Sequence, residues 1–219
     1  MIVIFDWDGT LCDSVEQIVQ AMQAAAEACD LPVPEAAAVR HIIGLSLVTA
    51  MPLLFPGSTA AQQEAMQVAY ASSYQALDPG PARLHEGALE TLEWLRSAGF
   101  ELAVATGKSR RGLDRVLKGL GMETYFQSTR CADETRSKPH PMMLEEILAA
   151  RGKTVHNALM VGDSAYDLDM AQRIGMASVG VTFGVHSREQ LAHHHPVALI
   201  DRLEALRSVP QLAAQASTG

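Results

Sequence analysis

The feature that most constrains this chain is a series of short, largely apolar runs separated by stretches with helical periodicity. Ile2 to Phe5, Leu102 to Ala105, Ala158 to Val161, Ala177 to Val181 and Val197 to Ile200 read as strands buried on both faces, with a weaker candidate at Tyr125 to Ser128. Between them lie Gly87 to Ala98, Ser109 to Gly119, Pro141 to Arg151 and Tyr166 to Ile174, whose apolar residues recur at helical spacing. Parallel strands need crossover connections, so the alternation predicts an α/β fold: a Rossmann-like parallel sheet with helices on both faces. Gly99, Gly121 and Gly175 each follow a helical stretch where a left-handed cap would fall.

One segment breaks the alternation. From Val15 the chain carries helical patterns over Val15 to Cys29, Glu35 to Ile43, Leu45 to Leu54 and Thr59 to Leu77, with no convincing strand and with Pro79-Gly80-Pro81 as a hinge-like return. A length of 219 residues accommodates a main domain with an insert. The expected division is a core of residues 1–14 and 82–219 around a helical unit of residues 15–81. The short polar tail after Pro210 is expected to fray.

Charge and composition exclude several partners. With 17 Lys+Arg against 25 Asp+Glu, the formal charge of -8 argues against a nucleic-acid footprint. The basic cluster Lys108, Arg110, Arg111, Arg115 and Lys118 is expected to be a solvated helical face. No uncharged run approaches the roughly 20 residues needed to span a bilayer, so no membrane partner is expected. The N-terminus lacks a basic region before its apolar run and is not expected to be a signal peptide. Cys12, Cys29 and Cys131 are odd in number and show no C-x-x-C spacing, which suits a reducing cytoplasm.

The chemistry-bearing residues fall at the ends of the strand runs, where open α/β sheets bind ligands. Asp6-Trp7-Asp8-Gly9-Thr10-Leu11 follows the first run; Asp6 and Asp8 share a face of an extended segment while Trp7 points away. Carboxylates so close repel unless a cation or proton lies between them. An acidic turn capping a helix is the plainer alternative. Thr106-Gly107-Lys108 follows the second run and could hold an anion with a hydroxyl and the next helix N-terminus. Lys138 supplies a cation in a Pro-restricted segment, and Asp163 and Asp167 form a second carboxylate pair after the Ala158 to Val161 run.

These motifs, in this order, resemble the haloacid dehalogenase superfamily of Mg-dependent phosphohydrolases, near its phosphoglycolate phosphatase-like branch. Ile2 to Leu11 is similar to the family's strand followed by D-x-D-G-T-L; Thr106, Lys138 and Gly162 to Asp167 are similar to its later motifs, and the insert resembles its helical cap. The resemblance implies Asp6 as nucleophile through an aspartyl-phosphate, and Asp8 as general acid/base. It implies Mg2+ held by Asp6, the Asp8 carbonyl and Asp163, with Asp167 either a further ligand or a supporting group. Thr106, Gly107 and Lys138 would bind the phosphoryl group, with Gly9 and Thr10 forming a turn whose backbone N–H groups face it. The implied partner is a small phosphorylated metabolite, such as a phosphoglycolate-like ester or a sugar phosphate, bound by a monomer or homodimer.

Relatives with other chemistry are separable on residues. Dehalogenases lack the second acid, present here as Asp8, and phosphonatases need a cap lysine, whereas residues 14–81 contain none. A sugar-phosphate mutase shares the whole core and stands as the alternative enzyme. A non-catalytic phosphometabolite-binding protein would be expected to have lost one of Asp6, Asp8, Lys138 or Asp163. Residues 14–81 hold six acids against the single cation Arg40, so Arg40 is expected to read the leaving group; a plain surface helix position is the alternative. The run His193-His194-His195 is expected to face solvent, and Cys12 to be a packing residue.

Overall fold

The computed structural model describes residues 1–77 and 82–216. The apolar runs form one parallel sheet: β1 (Ile2–Phe5), β2 (Glu101–Thr106), β3 (Ser128–Cys131), β4 (Ala158–Gly162), β5 (Ala177–Val181) and β6 (Ala198–Ile200), in the spatial order β3-β2-β1-β4-β5-β6. Phe5 is in register with Val104 on one side and Val161 on the other. The order of connection reverses beside β1, so the crevice of the fold opens past the carboxyl ends of β1, β2 and β4.

β1 alternates its side chains between two cores. Val3 and Phe5 join Trp7, Leu92, Leu113 and Leu203 on one face, while Ile2 and Ile4 join Met143, Ile147 and Met170 on the other. The flanking helices are α5 (Ala88–Ser97), α6 (Arg110–Leu120), α7 (Met142–Arg151), α8 (Ala165–Gln172) and α9 (Arg188–Ala192), in the chain order that follows the four insert helices. Gly99, Gly121 and Gly175 all have positive φ at helix ends, as expected. The β3 run lies three residues later than its sequence candidate. Its residues Ser128, Thr129 and Arg130 are only half-buried at the sheet edge, so it has no apolar signature.

The insert forms α1 (Val15–Ala28), α2 (Ala36–Ile42), α3 (Leu47–Leu54) and α4 (Ala60–Leu77). They bury a cluster of their own, including Val19, Met22, Val39, Met51, Met66 and Tyr74. Both connections run side by side: the Asp13 N–H donates to the Arg83 carbonyl at 2.8 Å and the His85 N–H to the Leu11 carbonyl at 2.9 Å. The Pro79-Gly80-Pro81 return lies outside the described residues. The tail does not fray through Ala216; it forms α10 (Pro210–Ala216), held by the buried Leu212. No helix among the described residues is long and apolar enough to cross a membrane.

Candidate active site

Asp6 leaves the buried end of β1 and is itself 1% exposed. Its Oδ1 accepts a hydrogen bond from the Trp7 N–H at 2.7 Å and lies 2.7 Å from the Lys138 ammonium, while its Oδ2 is buried without a protein partner. Trp7 turns into the core and meets Phe126 edge-on. Lys138 reaches the same point from the loop after β3, across a cis Lys138–Pro139 peptide, and also lies 2.6 Å from Asp167 Oδ1. Both ammonium contacts are charge pairs without hydrogen-bond alignment. Asp167 sits in the first turn of α8, where its Oδ2 accepts from the Ser164 N–H and hydroxyl in a capping box.

Asp163 extends from β4 into the same space. Its Oδ1 accepts from the Thr10 hydroxyl at 2.8 Å and its Oδ2 from the Val185 N–H at 2.9 Å. Oxygens of Asp6, Asp163 and Asp167 all lie within 4.8 Å of one another. Burial, reinforced by the Asp167 charge, pushes the Asp6 carboxyl well above the usual carboxylate range and that of Asp163 up to about 7. Burial opposes charge on Lys138 as well, but Asp167 and Asp6 outweigh it and hold the ammonium protonated.

When all three are ionised, these carboxylates carry two more negative charges than the one ammonium offsets in this buried site. That surplus, the oxygen-only donor set and the unpartnered Asp6 Oδ2 fit a hard divalent cation. The approach is tight. A Cβ on Gly9, whose φ is 79°, or on Gly184 would run into the Asp163 carboxylate.

Asp8 does not join this cluster through its side chain. Its Oδ1 accepts from the Ser14 hydroxyl at 2.6 Å and pairs with Lys108 at 2.9 Å, facing a cavity of about 330 Å³ between the insert and the core. The side chains of the first motif thus divide the site: Asp6 toward the acidic cluster, Asp8 toward the cavity.

Residues 3–181 match the model of the haloacid dehalogenase-like hydrolases. The chain belongs to this family. It is 35% identical over 207 residues to "Probable phosphatase IndB" of Dickeya dadantii, covering 91% of this chain and 89% of that one. It is 30% identical to a phosphoglycolate phosphatase of Vibrio parahaemolyticus, covering 97% of both. The crystal structure of a hydrolase from Pseudomonas syringae superposes with a TM-score of 0.85 at 26% identity, covering 94% of this chain and 95% of that one.

Several expected site residues have other duties in this haloacid dehalogenase-like structure. The Gly9 and Thr10 N–H groups do not stand free for a phosphate: they donate to the Cys12 and Trp7 carbonyls, closing the turn after β1. Thr106 is fully buried at the end of β2, and its Oγ1 accepts from the Lys108 N–H at 3.1 Å. At Gly107 a Cβ would strike the Gly44 and Leu45 carbonyls of the insert, so glycine here permits close contact of insert and core. Arg40 does not line the cavity. Val39 and Ile42 take the inward face of α2, leaving Arg40 outside in an ion pair with Glu16.

The basic cluster is also not uniformly solvated. Lys108 is half-buried between Asp8 and the Tyr74 ring, and Arg111 and Arg115 border the cavity. Sequence reading missed Ser14, Lys108, Ser164 and Gly184 as site residues. Of these, only Ser164 carried a local signal, as a Ser with Asp three residues later before a helix. Cys12 is buried, with burial pushing its thiol up to about 12, and belongs to packing as expected.

Proposed function

We propose that this chain is a Mg-dependent phosphatase that hydrolyses a small-molecule phosphomonoester through a covalent aspartyl-phosphate, with α1–α4 acting as a cap over a core of residues 1–14 and 82–219. The observation that carries this reading is the buried, unpartnered Asp6 Oδ2 beside Lys138 and the Asp163/Asp167 pair at the carboxyl ends of β1 and β4. The phosphatase names of relatives that align over nearly the whole chain support it.

Asp6 and Asp163, with the Asp8 backbone carbonyl, would hold Mg2+. The ion supplies the positive charge that lets an anionic carboxylate approach an anionic phosphoryl group. A carboxylate oxygen of Asp6 attacks phosphorus, forming an O–P bond as the bond to the substrate alcohol breaks. Asp8 delivers a proton to the departing alcohol oxygen. It then takes a proton from the water that cleaves the aspartyl-phosphate, releasing inorganic phosphate and restoring Asp6. Ser14 and Lys108 hold the Asp8 carboxylate at the cavity side for both transfers.

Lys138 offsets phosphoryl charge, and Asp167 positions it: with Oδ2 on Ser164 and Oδ1 on Lys138, both Asp167 oxygens are committed. Asp6→Asn is expected to lower Mg-dependent phosphate release from a phosphomonoester panel by at least about 10⁴-fold. Near-normal turnover by this variant would refute the assignment.

A further inference from the structure

The cavity that Asp8 faces has a character of its own. Its insert wall is apolar, built from Ile18, Met22, Ile43 and Leu45, and continues into Tyr70 and Tyr74, whose ring centroids lie 5.9 Å apart. Tyr74 is held between two cations, with Lys108 Nζ at 4.8 Å from the ring centroid and the Arg115 guanidinium at 5.5 Å. On the outer border, Arg111 and Arg115 are exposed, one helical turn apart on α6, and neither has a carboxylate partner among the described residues. Asp8 is the only acid among the described lining residues, and Gln75 the only side-chain amide. To the hydroxyl donors of a polyhydroxylated sugar the described lining thus offers one side-chain carboxylate and one side-chain amide, beside a largely apolar insert wall.

Size points the same way. A volume of about 330 Å³ equals roughly eleven water volumes, whereas the five heavy atoms of glycolate would fill less than about half of it. Two unpaired guanidiniums at the mouth of a cavity in a chain of net charge -8 mark a place for a second anion.

We infer that the preferred substrate is a phosphomonoester whose alcohol has a planar, largely apolar body of about ten heavy atoms, seated against Tyr70 and Tyr74, and a second anionic group read by Arg111 and Arg115. This rests on the phosphatase reading, since Asp8 fixes where the departing alcohol begins. The apolar body displaces water from the insert wall, and its far end reaches the α6 guanidiniums. These two arginines take the specificity role that the sequence suggested for Arg40.

Four primary-alcohol phosphates test this with purified protein and Mg2+: phosphoglycolate, glucose 6-phosphate, naphthalen-2-ylmethyl phosphate and its 6-carboxy derivative. The expected kcat/KM favours the naphthylmethyl esters over the other two by at least about tenfold, and the carboxylated ester over its parent by about fivefold. In the Arg111→Ala/Arg115→Ala variant, both at exposed positions, the carboxylate preference should collapse to less than about twofold. Ala71→Phe, at an exposed lining position of α4, should cut the preference for the naphthyl body over phosphoglycolate by about tenfold. Phosphoglycolate or glucose 6-phosphate matching the naphthylmethyl esters overturns this inference alone. An unchanged carboxylate preference in the double variant overturns the role of the arginines. No turnover of any of the four by the unaltered protein overturns the phosphatase reading, and this inference with it.

Discussion

Replacing Lys138 by Met, an unbranched apolar side chain one heavy atom shorter, tests the electrostatics of the site. The ammonium is fully buried and lies 2.7 Å from Asp6 and 2.6 Å from Asp167. At an effective dielectric near 20, each such contact carries about 6 kcal/mol of Coulomb energy before desolvation is subtracted. Deleting one partner of a buried pair costs a net of about 3–5 kcal/mol, because the remaining charge stays uncompensated. For a chain of this size each kcal/mol moves Tm by roughly 2–4 °C, so Lys138→Met in chelator at pH 8 should melt about 6–20 °C lower.

The pH response has a defined sign. Asp6 and Asp163 have folded pKa values above their unfolded ones, with Asp163 near 7, so the folded state binds more protons in that window. Their destabilising effect therefore grows as pH rises from the ordinary carboxylate range through the folded values, and is relieved on acidification. The variant should regain part of its Tm deficit between pH 8 and pH 6, and also on adding Mg2+ at pH 8, since either a proton or a cation replaces the lost charge. Thermal melts of both proteins at these pH values, with and without Mg2+, provide the measurement. A Tm within about 2 °C of the unaltered protein in chelator, or a deficit indifferent to both pH and Mg2+, would refute the account of a site with surplus negative charge.

Gly9→Ala should destabilise the protein by about 1–2 kcal/mol from its positive φ alone and cut Mg-dependent activity further by displacing the Asp163 carboxylate; denaturant midpoints and kinetics should show both losses. Mg2+ binding should release protons and weaken as pH falls through about 7, because Asp163 must lose its proton to serve as a ligand. Calorimetry in buffers of different ionisation enthalpy measures the release, and pH-independent binding without release would contradict it. Arg40→Ala should change kcat/KM by less than about twofold, since its partner is Glu16 at the surface; a large substrate-dependent loss would show that it reaches the substrate after all.

Much of the fold was legible because buried parallel strands leave an apolar signature, as at Ile2–Phe5 and Ala158–Val161. It failed at Ser128–Cys131, where an edge strand has one face half-covered and its residues need not be apolar. At the site, Asp6, Asp163 and Asp167 could be picked out by their place after strand runs and Lys138 by its Pro-restricted segment, and the structure brings them into ion-pair or near-contact distance. Lys108 looked like one charge of a solvated helix because its burial depends on Tyr74, distant in sequence and contributed by the insert. Arg40 looked distinctive because it is the insert's lone cation, yet which way a short helix turns depends on its apolar partners, Val39 and Ile42.

The sequence by itself determined the strand and helix alternation, the insertion of a helical unit after the first strand, and the acidic residues at strand ends, because each is written in local pattern and chemical type. Only the tertiary structure decided where each polar group is directed. It turned the Asp8 carboxylate to Lys108 and Ser14 rather than to the other acids, committed the Gly9 and Thr10 amides to their own turn, and assembled an apolar cavity bordered by Arg111 and Arg115 from two parts of the chain. Hydrogen bonds and charge pairs act over a few ångströms, and pairs that close in space, such as Asp8 with Lys108 or Tyr74 with Arg115, lie tens of positions or more apart in sequence.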